Sequence, residues 1–443
     1  MASALAPVAA LEPQADRLSL EELAPTCAAA LDLYGEQYRD DTAETAALAA
    51  ALAEQPQAVE SLSSMENAAN PMPMRARDTG ALEKVIGRNL RLSPTRVEQY
   101  YRCRFSYFLQ YVLKIRPRKR AELSPMESGS LIHYILEQVM RRAGEGFADM
   151  PREQLLQLAQ QVAEEYVKEN MPEASARFAY LVERLKKSVG HLLCYLQQEQ
   201  AQSSFHPVAF EQEIGDGGGA IRPLTLKTPD GHTVQVVGQI DRVDIMRREG
   251  RQYVRVVDYK TGSKSFSLED VYCGLNTQML LYLFTYCRNG KDLSDPVASG
   301  VLYLLSDPAP GSMPRAQAAN LPLYQVDGLV LNDEVVLRGM DKEASGLFVP
   351  VSFLKNGTPR SSSKLAHLEK IGNIRHYVEQ LVVEMAKGLY EGDIRAVPLR
   401  NTTHCPCDTC DYRAVCRHED GRDEAYVSAP KGVFETPVEK EES

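Results

Sequence analysis

No stretch of this 443-residue chain stays apolar for the ~20 residues that a membrane span requires, so a membrane protein of the helical kind is excluded. The opening run, MASALAPVAALEP, has no basic segment and no continuous apolar core. It does not read as a secretory leader, and the protein is expected in the cytoplasm. GxxxxGK(S/T) occurs nowhere, which excludes ATP binding by a P-loop. There is no internal repeat. The chain has nine cysteines, and an odd number without a leader speaks against a disulfide framework and for metal. Positive charge is also short: the net charge of −10, taken alone, argues against a nucleic-acid binder.

What is present is 44% hydrophobic and 25% charged residues, ordinary for a globular protein with a sizeable core. The length suits two or three domains, or one large domain with appended helices. The basic residues are unevenly spread. Eleven Lys and Arg fall between Lys84 and Arg120, with Glu98 among them and Glu83 just before. Tyr100, Tyr101, Phe105, Tyr107, Phe108 and Tyr111 are interleaved. Such a band can track a phosphate backbone and stack bases even on an acidic protein, with Arg96, Tyr100, Arg102 and Arg104 as the candidate DNA contacts. An amphipathic helix with core aromatics and solvated charges gives the same pattern.

Residues 1–85 are rich in Ala, Glu and Gln and read as a helical lead-in, or the remnant of a further region; residues 86–443 read as one domain. Ser93-Pro94 starts a helix that carries VEQYYRCRFSYFLQYVL. More helices are expected from Ser128 and over 152–170 and 174–200. From about residue 207, VAFEQEIG, PLTLKT, HTVQVVGQIDRVDIM and QYVRVVDYK read as strands separated by Pro-Asp-Gly and Glu-Gly turns. Helical patterns return at 268–288 and 364–391. The expected fold class is α/β: a small mixed central sheet with flanking helices, plus the N-terminal helical segment.

VVDYKTGSK sets an aspartate and a lysine two apart at a strand's end. Asp258 and Lys260 then share one face, with Tyr259 on the other. Gly238-Gln239-Ile240-Asp241 belongs to the preceding strand, at its end, and the short turn makes the two strands hairpin neighbours, so that Asp241 and Asp258 converge. Two close carboxylates repel unless a cation lies between them, and hard oxygen ligands without a nearby Cys favour Mg²⁺ or Mn²⁺. Lys260 could stabilise charge building on a phosphate. The combination suits metal-assisted phosphodiester hydrolysis. His133, in Gly129-Ser130-Leu131-Ile132-His133, could be a further ligand. Gln278 and Tyr282, four apart, share a helix face. Glu211 and Glu213 could support the metal, though an ordinary edge strand explains them as well.

In this order GxxxH, GxID, DYK and QxxxY resemble the RecB-like branch of the PD-(D/E)xK nuclease superfamily, with its restriction-endonuclease-like core. The resemblance implies that His133, Asp241, Asp258 and the Tyr259 carbonyl bind Mg²⁺, that Lys260 is the catalytic lysine, and that Gln278 and Tyr282 line the DNA site. Cys405, Cys407, Cys410 and Cys416 could by themselves close a Zn²⁺ site; alternatively Cys407, Cys410 and Cys416 join distant Cys103 around a 4Fe–4S cluster. SPTRVEQYYRCRFSYF and CxxCxYRxVC are similar to the split iron–sulfur staple of this branch, which favours the cluster. From about residue 86 to 425 the chain is similar to the nuclease region of AddB-type subunits of double-strand-break repair complexes. This implies a 5′→3′ exonuclease acting on single-stranded DNA beside an AddA-type helicase–nuclease partner. A stand-alone iron–sulfur exonuclease of the CRISPR-adaptation type and a non-catalytic, cluster-stapled DNA-binding module are the alternatives.

Overall fold

The computed structural model describes residues 43–54, 75–116, 125–170, 176–260, 265–305, 325–400, 405–416, 418 and 424–438. It divides into two units, Met1–Arg75 and Ala76–Ser443, so the boundary lies about ten residues earlier than expected and a helix assigned to the lead-in belongs to the larger unit. In the first unit the described residues form one alanine-rich helix, α1 (Ala43–Ala53), as good helix formers should. The amphipathic run at 18–38 and Cys27 lie outside the described residues.

The second unit begins with α2 (Thr79–Ile86), capped by Asp78, whose side chain accepts from the Ala81 N–H at 2.8 Å. Strand β1 (Asn89–Leu92) leads to α3 (Pro94–Arg102), which starts at Pro94 as expected. The long helix expected through Leu113 is interrupted. Cys103 is extended (φ −168°, ψ 118°), which turns it off the helix axis before α4 (Arg104–Tyr107) and a π-helical turn, Phe108–Val112. Three long helices follow: α5 (Pro125–Ala143), α6 (Arg152–Asn170) and α7 (Ala176–Gln202).

Next come β2 (His206–Ile214), β3 (Leu224–Lys227), β4 (Thr233–Val236), β5 (Gly238–Arg248) and β6 (Arg251–Lys260). The run HTVQVVGQIDRVDIM, expected as one strand, is therefore two. β4 belongs to a three-stranded sheet of order β1-β4-β3, and β5 to the main sheet. The switch falls at Gly238, where a Cβ would stand 2.5 Å from the Tyr282 hydroxyl, so only glycine fits. The helical pattern at 268–288 also divides, into α8 (Leu268–Tyr272) and α9 (Gln278–Asn289), because Gly274 (φ 82°) and Asn276 (φ 54°) turn left-handed between them. β7 (Pro296–Leu305), β8 (Gln325–Leu331), α10 (Glu334–Met340), β9 (Leu365–Ala366), α11 (Leu368–Tyr390), β10 (Leu399–Arg400), α12 (Arg413–Cys416) and β11 (Ala425–Tyr426) complete the unit.

The main sheet has six strands in the order β2-β5-β6-β7-β8-β9. It is mixed: β6 and β7 run parallel, while β2–β5, β5–β6 and β7–β8 are antiparallel. β6 is buried along nearly its whole length, which accounts for its unbroken apolar run. Inside the core, between α7 and the sheet, sits a knot of charge. Arg242 and Arg255 are each 1% exposed. Asp244 accepts from Arg242 at 2.6 Å and from Arg255 at 2.8 Å, and Glu199 pairs with both guanidinia. Burial alone would raise both carboxyls; the two arginines outweigh it and hold them below their ordinary values.

Candidate active site

Register brings the acids together. Phe210 lies opposite Arg242 and Gln212 opposite Ile240, which sets Glu211 level with Asp241. Arg242 opposite Val257 sets Asp241 level with Asp258. Asp258 pairs with Tyr303, and Tyr303 with Asp327. One row across five strands thus reads Glu211, Asp241, Asp258, Tyr303, Asp327, all on one face because paired residues share a side. Asp241 was expected at the end of its strand. It lies near the start of β5, and it meets Asp258 because the hairpin is antiparallel.

His133 reaches this row from α5. Its Nε2 lies 3.0 Å from the Tyr259 carbonyl oxygen; its Nδ1 is 3.4 Å from Asp241 Oδ2 and 3.8 Å from Glu211 Oε1. The Tyr259 N–H donates to Asp241 Oδ2 at 3.3 Å. His133, Glu211 and Asp241 form a group of ligand atoms close enough to hold one ion. Burial disfavours a charged His133, but hydrogen bonds to Asp241 and Glu211 outweigh this and lift it to about 11, so in the free site a proton supplies the positive charge. The donor set suits a divalent ion by its chemistry: one imidazole and two carboxylates whose ligand atoms lie within 4.8 Å of one another. Glu211 adopts φ 47°, a left-handed conformation in mid-strand that costs about 1 kcal/mol or more and is typical of functional sites.

Asp258 faces Lys260, as expected from the i, i+2 spacing: Lys260 Nζ donates to Oδ1 at 3.0 Å and lies 2.7 Å from Oδ2. Burial and the neighbouring Asp241 raise Asp258 to about 6, against the pull of Lys260 and His133. On the opposite face the Tyr259 hydroxyl accepts from Arg242 at 3.4 Å, tying the strand to the buried charge knot. Tyr282 packs over Gly238 and is 5% exposed; burial raises its hydroxyl to about 12. Gln278, which is hydrogen-bonded to Tyr282, opens α9, and its N–H donates to Glu98 on α3. Gly129 has open space beside it, so its place in GxxxH has no explanation in this geometry.

The basic band is mixed in character. Tyr100 is 3% exposed and packs edge-on against Tyr101 and Tyr107, leaving no ring face for a base. This position is core, contrary to the contact expected of it. Arg104 is paired with Asp393, and Arg96 lies 5.0 Å over the Tyr111 ring. Arg102 is about half exposed. Cys103, Cys407, Cys410 and Cys416 line one cavity of about 270 Å³ together with Arg102 and His418. Cys405 is buried beside Cys407 and outside that lining. Burial, then the neighbouring thiols, push Cys103 to about 11, so thiolates here need a cationic partner such as a metal.

In the sequence Glu98 is an acid within a basic band and Tyr303 an aromatic within an apolar run, neither of which marks a site. Only register and packing bring them to the site.

The fold thus sets an acid–lysine strand end beside a group of ligand atoms that could hold a metal ion, an arrangement suited to phosphodiester hydrolysis. Residues 91–417 match the PD-(D/E)XK nuclease superfamily, and the chain belongs to it. It is 32% identical over 364 residues to the B subunit of the ATP-dependent helicase/deoxyribonuclease of Clostridium acetobutylicum, covering 78% of this chain and 31% of that protein. The same-named protein of Clostridium tetani is 29% identical over 77% of this chain and 31% of its own length. That of Clostridioides difficile is 30% identical over 74% and 30%. The chain therefore spans about a third of the length of these relatives.

Proposed function

We propose that this chain is a Mg²⁺- or Mn²⁺-dependent deoxyribonuclease, the nuclease part of a helicase–nuclease complex in double-strand-break repair. The convergence of Asp241, Asp258 with Lys260, His133 and the Tyr259 carbonyl carries this reading. A cation held by His133, Asp241, Asp258 and the Tyr259 carbonyl, with Glu211 beside them, would supply a water nucleophile and offset phosphate charge. Lys260 stabilises charge building on the phosphate, while Gln278 and Tyr282 shape the wall that seats the strand. Arg102 and Arg96 lie on the helix that approaches this site and are the better DNA contacts; Tyr100 serves as packing. The substrate is single-stranded DNA, cut with 5′→3′ polarity. The partner is an AddA-type helicase–nuclease, in keeping with relatives named as parts of a helicase/deoxyribonuclease.

We further propose that Cys103, Cys407, Cys410 and Cys416 hold a 4Fe–4S cluster. Their shared cavity and the exclusion of Cys405 from it favour this over zinc on the four C-terminal cysteines. Asp258→Ala and Lys260→Ala should each abolish Mg²⁺-dependent DNA degradation and leave folding intact. Undiminished degradation by either variant refutes the site. A colourless, zinc-loaded protein purified without oxygen refutes the cluster.

A further inference from the structure

Tyr303 stands directly opposite Asp258 on the adjacent parallel strand, so both side chains rise from the same face of the sheet. Its ring is 2% exposed. Its hydroxyl is buried and has no hydrogen-bond partner among the described residues. Asp258 Oδ2 is likewise buried, with the Lys260 ammonium 2.7 Å away. After burial itself, Asp258 is the group that weighs most on the Tyr303 hydroxyl, followed by Glu98 and Asp327. Those two are already engaged, Glu98 by the Gln278 N–H and Asp327 by Lys364 and the Phe266 N–H.

A buried hydroxyl without a partner is destabilising. A buried donor without a partner among the described residues, paired across the strands with a buried carboxylate, is the setting in which a single bridging water is found. We propose that Tyr303 is a positioning residue for the metal seat: through one buried water its hydroxyl donates to Asp258 Oδ2, aligning that carboxylate for the cation. A phenylalanine would fill the same space, which makes the hydroxyl separable from the ring. The inference rests on the nuclease reading above.

Tyr303→Phe in the full chain tests it. Expected are a kcat on single-stranded DNA lowered about tenfold, a KM for DNA unchanged, and Mn²⁺ affinity without DNA, measured by titration calorimetry, lowered about tenfold. The melting temperature of the metal-free variant should fall by no more than a few degrees, since one bridged hydrogen bond is lost while the ring is kept. Unchanged kcat and Mn²⁺ affinity overturn the proposal. A high-resolution crystal structure of the metal-free protein should resolve a water between Tyr303 Oη and Asp258 Oδ2; its absence overturns the proposal whether or not the parent cuts DNA. A parent protein that neither binds Mn²⁺ nor cuts DNA would instead sink the nuclease reading.

Discussion

Glu98 accepts a hydrogen bond from the backbone N–H of Gln278 at 3.2 Å. The bond joins α3, which ends at Cys103, to the first turn of the helix that carries Gln278 and Tyr282. A carboxylate, 4% exposed, thus meets the positive end of a helix dipole, where negative charge is stabilising. This contact is one link between the helix that leads to the cysteine cavity and the helix beside the acidic row.

Glu98→Ala should therefore destabilise the protein by about 1–3 kcal/mol and lower DNA cleavage, because the first turn of α9 loses its anchor. Glu98→Gln keeps an acceptor oxygen and should recover most of the stability. Urea unfolding and cleavage rates of both variants check this; equal stabilities for Ala and parent would show that the contact holds nothing.

Metal dependence should change with pH. His133 is held protonated by Asp241 and Glu211, with a value of about 11, and Asp258 is raised to about 6. A cation must displace the imidazolium proton, so binding releases protons and weakens in acid. The Mg²⁺ concentration for half-maximal cleavage should rise as pH falls from about 8 to about 6. A half-saturating concentration independent of pH would contradict this ligand set.

Acid stability rests on the buried charge knot. Glu199 and Asp244 are depressed by Arg242 and Arg255, so their stabilisation is fully present above the ordinary carboxylate values and is lost as pH falls through the depressed ones. Glu199→Ala leaves buried guanidinium charge under-compensated and should cost about 3–5 kcal/mol at neutral pH. Its unfolding midpoint should also lose part of its dependence on pH below about 4.5. A midpoint within error of the parent's would show that solvent reaches the knot.

Gly238 and Tyr282 should be energetically coupled. A Cβ at 238 would lie 2.5 Å from the Tyr282 hydroxyl and 3.0 Å from its Cε1. Gly238→Ala should displace the ring, lowering both stability and cleavage. Adding Tyr282→Phe removes the nearest clashing atom and should restore part of the stability, giving a double-mutant coupling of about 0.5–3 kcal/mol. Additive losses would mean that the backbone, not the ring, gives way.

Local chemistry determined what the sequence alone could tell. Period-two spacing put Asp258 and Lys260 on one face and Tyr259 on the other. A short polar turn made β5 and β6 a hairpin. The four-residue interval set Gln278 and Tyr282 on one helix face. Those relations are enforced by backbone geometry within a few residues and needed no neighbours. What the chain could not reveal depends on distant partners. Cys103 leaves its helix and Gly238 switches sheets because of contacts made elsewhere in the chain, to the cysteine cavity and to Tyr282. Tyr100 is withdrawn from any base because Tyr101 and Tyr107 enclose it, although its sequence setting matches that of an exposed aromatic. Glu211 and Tyr303 join the acidic row only through strand register, and register is decided by which apolar faces the whole sheet must bury.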